Sequence, residues 1–180
     1  MTIEEIKTPD DILQFMEENI RYGWLDINDE EHIGNLENVR RLYRTASIEE
    51  SLKHKLGTCV EQVNLMHHLL DTLGIPNKMF CTRVYETDDF NDLDAEEHMH
   101  CFVLYYQDGK VYQIAHPDGK RKGLYHFETE ETAIKEINAI YEKMANGVAR
   151  PVTEFQTVIP NQTFKEFNAY INSLDNSKQK

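Results

Sequence analysis

The stretch from Gly57 to Pro76 does most to limit what this chain can become. Thr58, Cys59, Val60 and Glu61 have the pattern of a capping box, in which the Thr58 hydroxyl accepts from the Glu61 amide and the Glu61 carboxylate accepts from the Thr58 amide. Cys59 is then the first residue of a helix. Cys59, Val63, Met66, Leu70 and Leu73 follow at spacings of four, three, four and three, which is one helix face, so the thiol ends the stripe that must be buried. Gly74 and Pro76 stop the helix. Taken singly, a cysteine is usually a small buried hydrophobe. At a helix start it is more, because unpaired amides and the positive end of the helix dipole stabilise the thiolate, and the same amides can donate to an oxyanion.

Around this helix the periodicity changes twice. Thr8-Pro9-Asp10-Asp11 starts a helix with Ile12, Phe15, Met16 and Ile20 inward, ending near Tyr22-Gly23. Leu36 to Tyr43 reads as a second helix with Leu36, Val39 and Tyr43 inward, and Ser47-Ile48-Glu49-Glu50 opens a short third. After Pro76 the chain reads as strands over Lys78 to Tyr85, Met99 to Tyr106 and Val111 to His116, with Asp108-Gly109 turning the last two, and a short strand at Leu124 to Phe127. A helix from Thr129 follows, with Ala133, Ile137, Ile140, Tyr141 and Met144 inward and Gly147 at its end, then a strand at Val152 to Ile159 and a helix capped at Thr163. The expected fold class is α+β: helices, an antiparallel meander, then helix, strand and helix. At 180 residues this is one domain over 1–175, with 176–180 as a frayed tail.

A thiol nucleophile needs a base, and His100 is the candidate. Alternation puts His100, Phe102, Leu104 and Tyr106 on one strand face and Cys101, Val103 and Tyr105 on the other. The pair forms if the His100 face meets the Cys59 helix. A third member depends on hairpin register. A two-residue Asp108-Gly109 turn sets Tyr106 opposite Val111 and leaves Asp118 as the available polar group, whereas a three-residue Gln107 to Gly109 loop sets His116 opposite His100.

Gly57-Thr58-Cys59-Val60-Glu61-Gln62, Leu73-Gly74-Ile75-Pro76, His100-Cys101-Phe102 and Tyr112-Gln113-Ile114-Ala115-His116-Pro117 resemble, in order, the blocks of the transglutaminase-like superfamily. The resemblance covers roughly Tyr22 to Phe127, and Tyr22-Gly23-Trp24 is similar to the opening segment of a bacterial, small single-domain branch. It implies a papain-like core, with Cys59 on a helix, His100 on a facing strand and an acid on the neighbouring strand. Here His116 stands where relatives carry the acid, so the third member is His116, is displaced to Asp118, or is missing. Val60 replaces the aromatic residue that often follows the nucleophile. Trp24 is the resemblance's nominee for an upstream oxyanion donor. The implied chemistry is acyl transfer or hydrolysis on a peptide or protein carboxamide, as a peptidase or amidase, without a cofactor. The alternative is a degenerate relative retained for peptide or protein binding.

Composition narrows the setting. A formal charge of −13 repels phosphate backbones and anionic lipid surfaces, so neither nucleic acid nor membrane is an expected partner. The acidic runs at Asp26 to Glu31 and Asp88 to Glu97 read as solvated loops, with a basic peptide substrate as the sharper alternative. Met1 to Asp11 is acidic and polar, which does not suit an export signal, and no run of about 18 apolar residues occurs. Three cysteines without CxxC spacing suit free thiols in the cytoplasm. His67, His68, His98 and His100 match no strong zinc spacing, so no metal is expected, and His32 and His126 read as surface or packing residues. Oligomeric state is not legible.

Overall fold

A computed structural model describes residues 1–86, 97–117 and 119–178. Two sheets organise the chain. The smaller holds β1 (Arg21–Asp26) between β2 (Glu31–Ile33) and β3 (Tyr43–Arg44), with β4 (Leu56–Gly57) pairing β1 in parallel. The larger has the order β10 (Thr153–Phe155), β5 (Asn77–Tyr85), β6 (Glu97–Gln107), β7 (Lys110–Ala115) and β8 (Gly123–Phe127), with β9 (Val148–Ala149) also on β5. Every pairing in it is antiparallel. The fold is α+β.

The helices are α1 (Pro9–Asn19), α2 (Val39–Leu42), α3 (Ile48–His54), α4 (Cys59–Thr72), α5 (Glu130–Ala145) and α6 (Phe164–Lys178). The larger sheet lies between two of them. On one face, Val63, Met66 and Leu70 of α4 join Cys101, Val103 and Tyr105 of β6 and Ile12, Phe15 and Met16 of α1 in one apolar core. On the other, Ala133, Ile137 and Tyr141 of α5 pack on Phe80, Phe102 and Leu104. This two-sided burial is why β5 and β6 read as nearly continuous apolar runs.

Local chemistry set most boundaries. The Thr8, Ser47 and Thr58 capping boxes all form. Five expectations need correction. Helix α1 ends at Asn19, because Arg21 enters β1, where its amide bonds the Lys55 carbonyl at 2.9 Å. The second helix shrinks to Val39–Leu42: Asn38 takes φ 61°, which no α-helix continues through, and Leu36 is left exposed. Met144 is 64% exposed, since Asn146 at φ 53° ends α5 before that turn meets the sheet. The late strand is only Thr153–Phe155, while α6 continues past Asn176 to Lys178. No helix among the described residues is long and apolar enough to cross a membrane.

Candidate functional site

Cys59 is the first residue of α4, and its position is over-determined. The Glu61 carboxylate accepts from the Thr58 amide at 2.9 Å and the Thr58 hydroxyl at 2.6 Å through Oε2, while Oε1 accepts from the Tyr43 hydroxyl at 2.5 Å and the Ala46 amide at 3.2 Å. The Thr58 hydroxyl oxygen accepts from the Val60 amide at 3.2 Å. Glu61 is buried, and burial raises its pKa against the opposing pull of Thr58 and Tyr43. One carboxylate therefore ties the helix start to β3 and to the segment entering α3.

The alternation of β6 holds, but its faces are covered the other way round. The Cys101 face meets α4, and the His100 ring lies 3.9 Å from the Tyr141 ring of α5. Cys59 thus meets β6 at Cys101, and His100 still bears on the thiol. Hydrogen bonding from the Cys101 thiol, hydrogen bonding and charge from the His100 imidazole, and the Cys101 amide hold the Cys59 pKa well below the ordinary thiol range, against the cost of burial. Burial first, and hydrogen bonding to Cys59 and Cys81 next, push the Cys101 thiol well up. The two shifts are the two sides of one Cys59–Cys101 interaction, in which the proton is favoured on Cys101.

The hairpin takes the two-residue register. Asp108 at φ 52° and Gly109 at φ 74° make a turn whose twist suits a right-twisted ladder, and Tyr106 pairs with Val111. This is the register that points to Asp118, which lies outside the described residues; it takes His116 off the His100 face. His116 is buried beside α4 instead, with Nδ1 2.5 Å from Gln62 Oε1. Gln62 Nε2 donates to the Gly57 carbonyl at 2.8 Å, so Oε1 must be the acceptor and His116 Nδ1 the donor. Gln62, a residue given no role by sequence reasoning, thereby fixes the tautomer of His116.

Trp24 does not line the cavity beside Cys59. It is buried, stacked on His32 with ring centroids 4.0 Å apart, and its indole N–H donates to the Asn35 carbonyl at 3.0 Å. Tyr22, two residues earlier, lines the space next to the thiol. Although the residue is 40% exposed, desolvation of its phenol and then the charges of Cys59, Glu61 and Cys101 raise its pKa. Sequence reasoning passed over Tyr22 although both aromatics lay in the same segment; what separates them is depth, which the alternation does not encode.

Cys59 opens onto a cavity of about 610 Å³, walled by Val39, Val60, Met99, Phe164 and Phe167 and edged by Tyr22, Arg40, Arg41 and Glu97. Among the described residues, Asp26, Glu30 and His32 have ligand-type atoms within 4.8 Å of one another. Asp26 already accepts from the Asn28 and Glu30 amides at 2.8 and 3.0 Å and meets His32 Nε2 at 2.8 Å, and none of the three lines the cavity. The acidic run is thus an internally bonded turn, with Asp29 also pairing Arg44 at 2.7 Å. Compared with known proteins, the chain matches no protein-family model and no curated protein.

Proposed function

We propose that this chain is a thiol-dependent acyl-transfer or hydrolysis enzyme of transglutaminase-like type with a papain-like core, acting in the cytoplasm on a peptide or protein carboxamide. One observation carries the reading: a cysteine at a helix start, its thiolate favoured by Cys101 and His100, facing a cavity of about 610 Å³. In the proposed reaction the Cys59 thiolate attacks the carbonyl carbon, and negative charge gathers on the carbonyl oxygen. The imidazolium of His100 gives its proton to the departing amine as the C–N bond breaks, leaving a thioester. Water or a second amine then attacks the thioester, His100 takes the proton, and the thiolate leaves. The Val60 amide is committed to Thr58, so the oxyanion falls to the Tyr22 hydroxyl and the amide of Cys59 itself. The chemistry calls for no cofactor.

The second reading, a binding domain that kept the fold without the reaction, is favoured by the hydrogen bond that His116 Nδ1 gives to Gln62 Oε1. Alkylation of Cys59 by iodoacetamide, followed against pH by mass spectrometry, separates the two. The enzymatic reading expects a rate that falls only well below the ordinary thiol pKa of about 8.5, and a midpoint that moves up in His100→Ala. An ordinary thiol profile, unchanged by that substitution, would sink it.

A further inference from the structure

The three thiols stand in a row, and only one of them meets the cavity. Cys59 is 7% exposed and lines it, whereas Cys101 and Cys81 are both 0% exposed and sit behind it in the same apolar core. The Cys59 sulfur is in hydrogen-bond contact with both the amide and the thiol of Cys101. The Cys101 thiol is in turn in contact with that of Cys81, its partner across the β5–β6 ladder. Cys81 is turned toward the Thr82 carbonyl, to which its S–H donates at 3.7 Å, and all three cysteines are free thiols. An oxidant that enters the cavity therefore reaches Cys59 first, and a sulfur oxidised there has the Cys101 thiol already against it. That neighbour matters, because a singly oxidised cysteine either condenses with a second thiol or goes on to states that thiols do not reverse.

We propose that Cys59 and Cys101 form a reversible redox pair, in which a hydroperoxide oxidises Cys59 and Cys101 resolves it as a disulfide. The inference rests on the Cys59 reading above and adds a modification that switches that site off. The chemistry balances with hydrogen peroxide as the oxidant. The Cys59 thiolate attacks one peroxide oxygen, an S–O bond forms and the O–O bond breaks. The departing hydroxide takes the His100 imidazolium proton and leaves as water, and Cys59 is left as a sulfenic acid. The Cys101 sulfur then attacks the sulfenic sulfur, the S–S bond forms and the S–O bond breaks, and the Cys101 proton departs with the hydroxyl as a second water. Each sulfur has given up one electron, and the peroxide has taken two. The disulfide removes the nucleophile, and it also keeps Cys59 from reaching the sulfinic acid. A dithiol reductant restores both thiols by exchange.

The test treats the wild-type protein with hydrogen peroxide at neutral pH, blocks the remaining thiols with N-ethylmaleimide and maps linked peptides by mass spectrometry without reduction. The expected result is a link between the Cys59 and Cys101 peptides, with loss of Cys59 alkylation by iodoacetamide and its recovery after dithiothreitol. Cys101→Ala should abolish the link and carry Cys59 on to sulfinic and sulfonic acids that dithiothreitol does not reverse. Cys81→Ala should leave the link in place. Wild-type Cys59 that ends as a sulfinic acid, or a link from Cys101 to Cys81 with Cys59 outside it, would overturn the proposal, and neither result needs a variant to fold. Failure of the thiolate reading shows separately, as an ordinary pH profile with iodoacetamide. An ordinary thiol ionises above about 8.5, so peroxide at alkaline pH still decides whether Cys59 pairs with Cys101.

Discussion

Glu61→Gln keeps the size of the side chain and changes one atom, yet it should destabilise the protein by about 2 kcal/mol. Four donors converge on this carboxylate, two per oxygen: the Thr58 amide and hydroxyl on Oε2, the Tyr43 hydroxyl and Ala46 amide on Oε1. The hydroxyls can turn and accept, but the amides cannot. Whichever way the glutamine amide is set, its NH2 faces the N–H of Thr58 or of Ala46, and one backbone donor is left buried. A hydrogen bond to a charged group is worth about 1.5–3 kcal/mol, and for a chain of this size a loss of about 2 kcal/mol lowers Tm by about 4–8 °C. The pH dependence carries a second, independent sign. Burial raises the folded-state pKa of Glu61 above its ordinary 4.5, so between those values the folded state binds more protons than the unfolded state. The Glu61 contribution is therefore most favourable below the unfolded value and declines as pH rises through the folded one. Glutamine has no such slope, so the gap between wild type and variant should be widest at the acid end and narrow toward neutral pH. Urea unfolding at several pH values measures both. A Glu61→Gln protein within about 0.5 kcal/mol of wild type, well under the worth of one charged hydrogen bond, or a gap that widens with pH, would refute the reasoning.

Trp24→Phe removes the indole donor to the Asn35 carbonyl and should cost about 1–2 kcal/mol in stability while leaving the Cys59 alkylation profile unchanged; an altered profile in a protein of wild-type stability would return Trp24 to the site. Arg83 is fully buried and donates to Asp175, Asn172 and, at 2.9 Å, Thr153, tying α6 to β5 and β10. Since Asp175 is one-third exposed, Arg83→Met should cost about 2–4 kcal/mol, below the full loss of a buried pair. The double variant with Asp175→Asn should cost less than the two single losses added, as read from denaturation midpoints, and strict additivity would deny the coupling.

What the sequence made legible was local. Thr58 and Glu61 are three residues apart, so the helix start and the place of Cys59 on it followed from chemistry that needs no tertiary context. Alternation likewise sorted β6 correctly into two faces, since Phe102 and Leu104 go together and Cys101, Val103 and Tyr105 go together. It could not say which helix covers which face, and the Cys101 face drew α4. The hairpin posed the same kind of choice. Gly109 takes positive φ in either loop, but the two-residue turn also needs it of Asp108, a residue type that accepts that region at small cost, so both registers stayed open until the strands were paired. Arg83 gave no signal, and Glu97, read as the end of a solvated acidic run, is instead the buried first residue of β6, the rest of that run lying outside the described residues. Their partners arrive from α6, 71 residues beyond Glu97 for Asn168 and 92 beyond Arg83 for Asp175.

The odd cysteine count, read first only as a sign of free thiols, has a further consequence once the three are placed. Cys101 lies between Cys59 and Cys81, directly opposite Cys81 across the β5–β6 ladder, and its single S–H can serve one sulfur at a time. Cys81 donates its own proton to the Thr82 carbonyl at 3.7 Å, so it does not depend on Cys101. The Cys101 proton is left to Cys59, the sulfur whose pKa is held down. A thiol with its pKa pushed up by burial is a fitting donor, because it stays protonated through the pH range in which Cys59 loses its proton. Helix start, buried neighbour and His100 thus act in the same direction on one sulfur, and the first of these was written in four consecutive residues.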